Sequence, residues 1–214
     1  MSTVMRPERT RLLEAMLEEL VEKGYTEVEV EAAIQRARLV GGEWSSQFPD
    51  KDSCLLAAFE ALTDDLRAAI VEGCVTGSDW PGRVAGGLRV LLGRLSERAT
   101  MAEALARTFP STGLPALTKY QAFVESLAPL LAEGREFAEL GDQLPEEVEL
   151  LAVGSVEAIV SEQIQLGRTA GLKAMTPEIL FSVLVPFTGP EVATEAMAAE
   201  RRRVEGGDEQ FETA

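Results

Sequence analysis

Apolar residues recur along most of the chain at helical spacing, and glycine and proline divide that pattern into segments. Between Pro7 and Lys23, the residues Leu12, Leu13, Met16, Leu17, Leu20 and Val21 share one face, so a first helix is predicted there. Pro7 suits its first turn, where a missing N–H has no intrahelical partner to lose. Two short helices follow, over about 28–37 and 41–47, and they meet at a Gly41-Gly42 corner. Asp50 is placed to cap a long fourth helix through Leu55, Leu56, Phe59, Leu62, Leu66 and Ile70 to about Val75. This order is that of a helix-turn-helix module continued by a connecting helix.

Gly77-Ser78-Asp79 interrupts the pattern, and Trp80 opens a fifth helix carrying Leu88, Leu91, Leu92 and Leu95. Its glycines Gly82, Gly86, Gly87 and Gly93 each weaken it by about 1 kcal/mol relative to alanine, and close helix packing is the expected compensation. Further helices are predicted over about 100–107, 115–133 and 145–166, the last opened by Pro145 and two acids. Thr176 is expected to cap a ninth helix, whose ILFSVLVPF run is apolar on nearly every side. Such a helix must be buried, and a second copy of the chain is a ready cover. Gly189-Pro190 begins a last short helix ending in Arg201-Arg202-Arg203, charges that complement its dipole. The polar tail 206–214 is expected to be disordered. The chain is therefore read as all-α.

With 214 residues and 46% hydrophobic content, the chain is large enough to bury a substantial core, but its net charge of −16 is unusual for a nucleic-acid binder. Met1 to Asp52 carries seven basic and eleven acidic side chains, a net of −4. The absence of histidine excludes Ser-His-Asp and Cys-His catalysis and histidine metal ligation. No carboxylate, cysteine or glycine motif indicates an enzyme, a metal or a cofactor. Cys54 and Cys74 share the long helix, where about twenty residues at about 1.5 Å each hold them roughly 30 Å apart, too far to pair. No apolar run is read as approaching the roughly 20 residues that span a bilayer, so a cytoplasmic protein without a membrane partner is expected.

The residues at the start of the chain carry a family resemblance. Gly24-Tyr25 closes the first helix, Val30, Ile34 and Ala37 occupy apolar positions of the second, and Gly42 lies in the turn to the third. Phe48-Pro49-Asp50-Lys51-Asp52 then precedes a leucine pair, and Val185-Pro186-Phe187-Thr188-Gly189-Pro190-Glu191 forms a second run near the C-terminus. In these features the chain resembles the TetR/AcrR family of bacterial transcriptional regulators. The resemblance implies an N-terminal helix-turn-helix domain over 1–52, a helical effector-binding and dimerisation domain over 53–205, and the tail 206–214. It further implies a ligand-responsive homodimer, associating through the helices near 145–166 and 176–187, that binds operator DNA and a small apolar effector.

Carried onto this chain residue by residue, the resemblance gives Arg38, Gly41, Glu43, Trp44, Ser45, Ser46, Gln47 and Lys51 as DNA-binding candidates. Lys51 falls at the family's phosphate-binding lysine and Arg38 at its turn glycine. Ser45, Gln47 and Glu43 stand where the family places Tyr, His or Tyr, and Thr. Effector-binding candidates are Trp80, Phe109, Tyr120, Phe123 and Glu157, although aromatics at helical spacing are also ordinary core. The acids Glu27, Glu29, Glu31 and Glu43 keep an alternative open: a TetR-fold protein that has lost DNA recognition and acts by binding small molecules or sequestering another regulator.

Overall fold

The computed structural model describes residues 7–40, 48, 50–138 and 143–208. Its helices are α1 (Pro7–Glu27), α2 (Val30–Arg36), α3 (Lys51–Val75), α4 (Trp80–Glu97), α5 (Ala99–Glu103), α6 (Leu114–Glu125), α7 (Val148–Gln165) and α8 (Thr176–Asp208). A π-helical turn (Ala104–Thr108) and 3-10 segments at Pro110–Thr112, Ala128–Phe137 and Thr169–Met175 join them. No strand occurs among the described residues, in keeping with the all-α reading. The predicted third helix, 41–47, lies outside them.

Packing divides the chain into two compact units, one formed by 1–66 with 98–120 and the other by 67–97 with 121–214. The expected division after Asp52 follows the helix-turn-helix motif, whereas packing extends the first unit through α3 to Leu66.

In the first unit the apolar face of α1 is buried as its spacing requires, with Leu12, Met16 and Leu20 inaccessible. It packs against α2 and the 99–108 segment. Phe59 of α3 stacks on Phe109 at 3.9 Å between ring centroids. Gly24, at φ 78°, bends the end of α1, a conformation that suits glycine. Asp50 caps α3 as expected, its Oδ1 accepting the Ser53 N–H at 2.7 Å. That hydrogen bond is the main reason its carboxyl lies below the ordinary range.

In the second unit α4 packs on α8 and on the 169–175 segment, and α7 packs on α8 and on 128–137. Glycine permits the approach of α3 to α4. A Cβ on Gly73 would stand 2.7 Å from the Gly86 carbonyl oxygen, and one on Gly87 2.7 Å from Cys74 Sγ. Close packing is thus what these weak helix formers permit. Trp80 is fully buried, stacked on Phe137 and edge-on to Phe187 at 5.3 Å. Arg89 donates to Glu200, a buried carboxylate, at 2.6 Å.

Several expected helix limits move for identifiable reasons. The helix predicted to Glu133 stops at Glu125, because Pro129 cannot donate an intrahelical hydrogen bond, and a 3-10 segment replaces its continuation. The Pro145 segment is a turn before α7, with Val148 N–H donating to the Pro145 carbonyl at 3.2 Å. Thr176 is not a cap: it is buried and donates its hydroxyl to the Lys173 carbonyl at 2.7 Å. Gly189, at φ 73°, joins two helical arms of α8, and the second arm continues to Asp208, into the expected tail.

The expectation about apolar runs is also corrected. The helical stretch Thr169–Gly206 contains a window of mean hydropathy 1.3, long and apolar enough by composition to cross a membrane. Here Ile179, Leu180, Val183, Leu184 and Phe187 of that stretch lie in the core. Its own chain buries 44% of that window.

Candidate nucleic-acid interface and effector cavity

Arg36, in the last turn of α2, is held by three carboxylates of α1. It reaches Glu18 at 3.4 Å, Glu19 at 2.8 Å and Glu22 at 2.5 Å. Glu19 is nearly inaccessible and also pairs with Lys23 at 2.5 Å, so burial strengthens this fastening of α2 to α1. The hydrogen bond from Arg36 lowers the Glu22 pKa and correspondingly raises that of Arg36.

α2 ends in a Schellman turn, with Leu39 N–H donating to the Ile34 carbonyl and Arg38 N–H to the Gln35 carbonyl. Its left-handed position is filled by Arg38 at φ 55°, which is the sole non-glycine residue with positive φ among the described residues. The turn expected of glycine is retained with arginine in it. Gly167 performs the same role after α7, with Arg168 N–H donating to the Gln163 carbonyl.

Lys51 donates to the carbonyls of Tyr25 at 2.7 Å and Thr26 at 3.3 Å, and its ammonium lies 4.4 Å from the centre of the Tyr25 ring. The Tyr25 hydroxyl in turn donates to Asp52 at 2.8 Å, which raises its pKa. Lys51 thus satisfies carbonyls at the end of α1, where a cation complements the helix dipole. Arg38 is exposed, as are Glu27, Glu29 and Glu31. Gly41, Glu43, Trp44, Ser45, Ser46 and Gln47 lie outside the described residues.

Of the effector candidates, Phe109 and Tyr120 belong to the first unit and Trp80, Phe123 and Glu157 to the second. Phe109 is spent on the Phe59 stack of the first unit and Trp80 on the Phe137–Phe187 cluster of the second. Tyr120 and Phe123 are half-buried on α6. Glu157, half-buried on α7, accepts the Ser161 hydroxyl at 2.8 Å.

None of these five lines the apolar cavity of the second unit. That cavity, about 70 Å³, lies among α3, α4, the 128–137 segment, α7 and α8. Ile70, Cys74, Leu88, Leu131, Val156 and Val183 contribute to its wall. Aromatic content did not indicate this place. The available signal was the pairing of Cys74 with Gly87, small residues facing each other across α3 and α4. No group of three His, Cys, Asp or Glu residues that could hold a metal occurs among the described residues.

The described residues form an all-α fold of two compact units, the second of which holds an apolar cavity. More particularly, it is the fold of the TetR-type transcription regulators. The fatty acid degradation regulator FadR from Bacillus halodurans superposes with a TM-score of 0.74 at 16% identity, over 84% of this chain and 95% of that one. FadR from Bacillus subtilis in complex with stearoyl-CoA gives 0.65 at 17% identity, over 84% and 97%. A TetR family regulator from Marinobacter aquaeolei VT8 gives 0.64 at 16% identity, over 84% and 94%. No protein-family model and no curated protein matches the sequence.

Proposed function

We propose that this chain is a ligand-responsive, homodimeric transcription regulator of the TetR type, working in the cytoplasm and binding operator DNA through its N-terminal helices. The observation carrying this reading is the extent of the fold likeness, which takes in 84% of this chain and 95% of the Bacillus halodurans regulator at once. The candidate DNA contacts remain Arg38, Gly41, Glu43, Trp44, Ser45, Ser46, Gln47 and Lys51.

The effector is a small apolar molecule, supported by the aliphatic wall of the second unit's cavity; the Bacillus subtilis neighbour is in complex with stearoyl-CoA, of which the acyl chain alone is apolar. At about 70 Å³ the cavity is far below the roughly 300–1,000 Å³ of ligand pockets, so the effector selects a widened state. Tyr120, Phe123 and Glu157, which are only half-buried, are candidates for contacts made in that state. The homodimer uses α7 and the first arm of α8. Leu150, Leu151 and Leu166 are exposed at and just beyond α7 and supply apolar contact surface.

A second reading, a TetR-fold protein that binds small molecules or sequesters a regulator without holding DNA, is favoured by the electrostatics of the first helices. Their net charge is negative, Arg36 is occupied by three carboxylates and Glu27, Glu29 and Glu31 are exposed. Anisotropy titration against the gene's own upstream DNA and random fragments, in low salt, separates the two. Tight binding to the upstream fragment over random DNA supports the regulator. No binding to either at micromolar dimer removes operator recognition and leaves the second reading.

A further inference from the structure

We infer that the first unit holds a separate ligand site, a pocket for an uncharged amphiphile of the class of a medium-chain alcohol. A cavity of about 360 Å³ opens among α1, α3 and the start of α5. This lies within the roughly 300–1,000 Å³ typical of ligand pockets, whereas the effector cavity of the second unit is about 70 Å³. Leu13, Leu17, Ala58 and Met101, all buried, form its apolar floor. The space exists because α3 presents Ala58 and Ala61 there rather than larger side chains.

The polar part of the wall sets the charge of the guest at zero. Arg98 donates to Glu14 at 2.7 Å, and Asp65 is engaged in an interaction of its own, so no wall charge stands free. A cation would have to compete with Arg98 for Glu14, and an anion with Glu14 for Arg98. Either ion would give up its hydration without gaining a free partner. A hydroxyl meets no such obstacle. An ionised carboxylate offers about four acceptor positions, so an alcohol can donate to Glu14 beside Arg98, and the Thr10 hydroxyl in the same wall both donates and accepts. The alkyl body then lies on the floor, where each methylene leaves water. A guest so placed touches α1 and α3 together.

The test is calorimetry on the full chain with 1-butanol, 1-hexanol, hexylammonium and hexanoate, without DNA, so it is independent of the regulator reading. Hexanol is expected to bind once per chain, tighter than butanol by about fourfold for each added methylene. Hexylammonium and hexanoate should each bind at least about tenfold more weakly than hexanol. Breaking the pair should admit ions. Arg98→Gln, which frees Glu14, should strengthen hexylammonium about fivefold, and Glu14→Gln, which frees Arg98, should do the same for hexanoate. Hexanol should keep its affinity in both, because glutamine also accepts a hydroxyl. Ala61→Leu should abolish hexanol binding and Cys74→Leu, in the other cavity, should not. Circular dichroism confirms folding of each variant; if Ala61→Leu does not fold, the two charge variants decide. Absence of hexanol binding, an ion that binds the parent chain as tightly as hexanol, hexanol binding that survives Ala61→Leu in a folded chain, or charge variants without effect on the ions would each overturn the assignment.

Discussion

Gly86→Ala places one methyl group where α3 and α4 are closest. The new Cβ would stand 3.0 Å from the Gly73 carbonyl carbon and 2.9 Å from the Thr76 hydroxyl oxygen, and closer still to the Gly73 oxygen. Nonbonded carbons rest at about 3.5–4.0 Å, so the two backbones must separate by about 0.5–1 Å. The obstacle is main chain, which cannot rotate aside, so the overpacking penalty falls toward the upper end of the usual range, about 2–3 kcal/mol. Alanine recovers about 1 kcal/mol of helix propensity. The net expectation is a loss of about 1–2 kcal/mol.

Gly93→Ala, in the same helix, meets nothing within 4 Å and should gain up to about 1 kcal/mol. Urea denaturation at one fixed protein concentration measures both, since self-association would otherwise enter the apparent stability. By heat, each kcal/mol corresponds to about 2–4 °C at this chain length. Gly86→Ala as stable as the parent, beside a stabilised Gly93→Ala, would refute the close-approach account.

Arg38→Gly should stabilise the chain by about 0.5–1 kcal/mol in the same denaturation assay, because it relieves a left-handed arginine while adding glycine entropy to the unfolded chain. The Arg135 guanidinium, which donates to Glu149 at 2.5 Å, holds that carboxyl below its ordinary range. A depressed carboxylate pKa gives stability that is complete above the unfolded value near about 4.3 and is lost as pH falls through the lower folded value. Arg135→Gln should accordingly flatten the acid limb of a stability profile measured from neutral pH downward. Burial pushes the Cys54 thiol up to about 12 and also raises that of Cys74. In native protein at mildly alkaline pH, Cys54 should resist a thiol reagent while half-buried Cys74 reacts slowly, and denaturant should expose both; rapid native labelling of Cys54 would contradict its burial.

The helices could be read from the chain wherever one face alone is apolar, as in α1, or where cap and breaker residues agree, as with Asp50 before α3 and Gly189-Pro190 within α8. The ends that shifted depend on choices that local pattern leaves open. Pro129 turns an extended apolar run into a 3-10 segment, and Thr176 exchanges a capping role for a hydrogen bond to the Lys173 carbonyl. The Phe48 to Asp52 run points to the TetR-type fold that the chain has, but the occupation of Lys51 by α1 carbonyls and of Arg36 by glutamates is a tertiary fact. The effector candidates, four aromatics and Glu157, follow from the family resemblance, and aromatics at helical spacing are also ordinary core. Phe109 packs on Phe59 and Trp80 on Phe137 and Phe187, each in its own unit's core, and the cavities form where alanine, cysteine and glycine leave volume. Small residues are silent in a hydrophobicity pattern, so neither cavity announced itself.

The three glutamates around Arg36 also determine what an ionic-strength titration can count. Affinity for DNA falls with salt because each phosphate contact expels a condensed cation from the nucleic acid, and the slope reports how many phosphates are neutralised by protein cations. Arg36 arrives with its charge already cancelled by its own chain. A phosphate meeting it would have to evict a carboxylate that stays within reach and repels the newcomer. Such a contact adds little net neutralisation, so the salt slope of any DNA complex of this protein will be shallower than the number of arginines and lysines in the head would give.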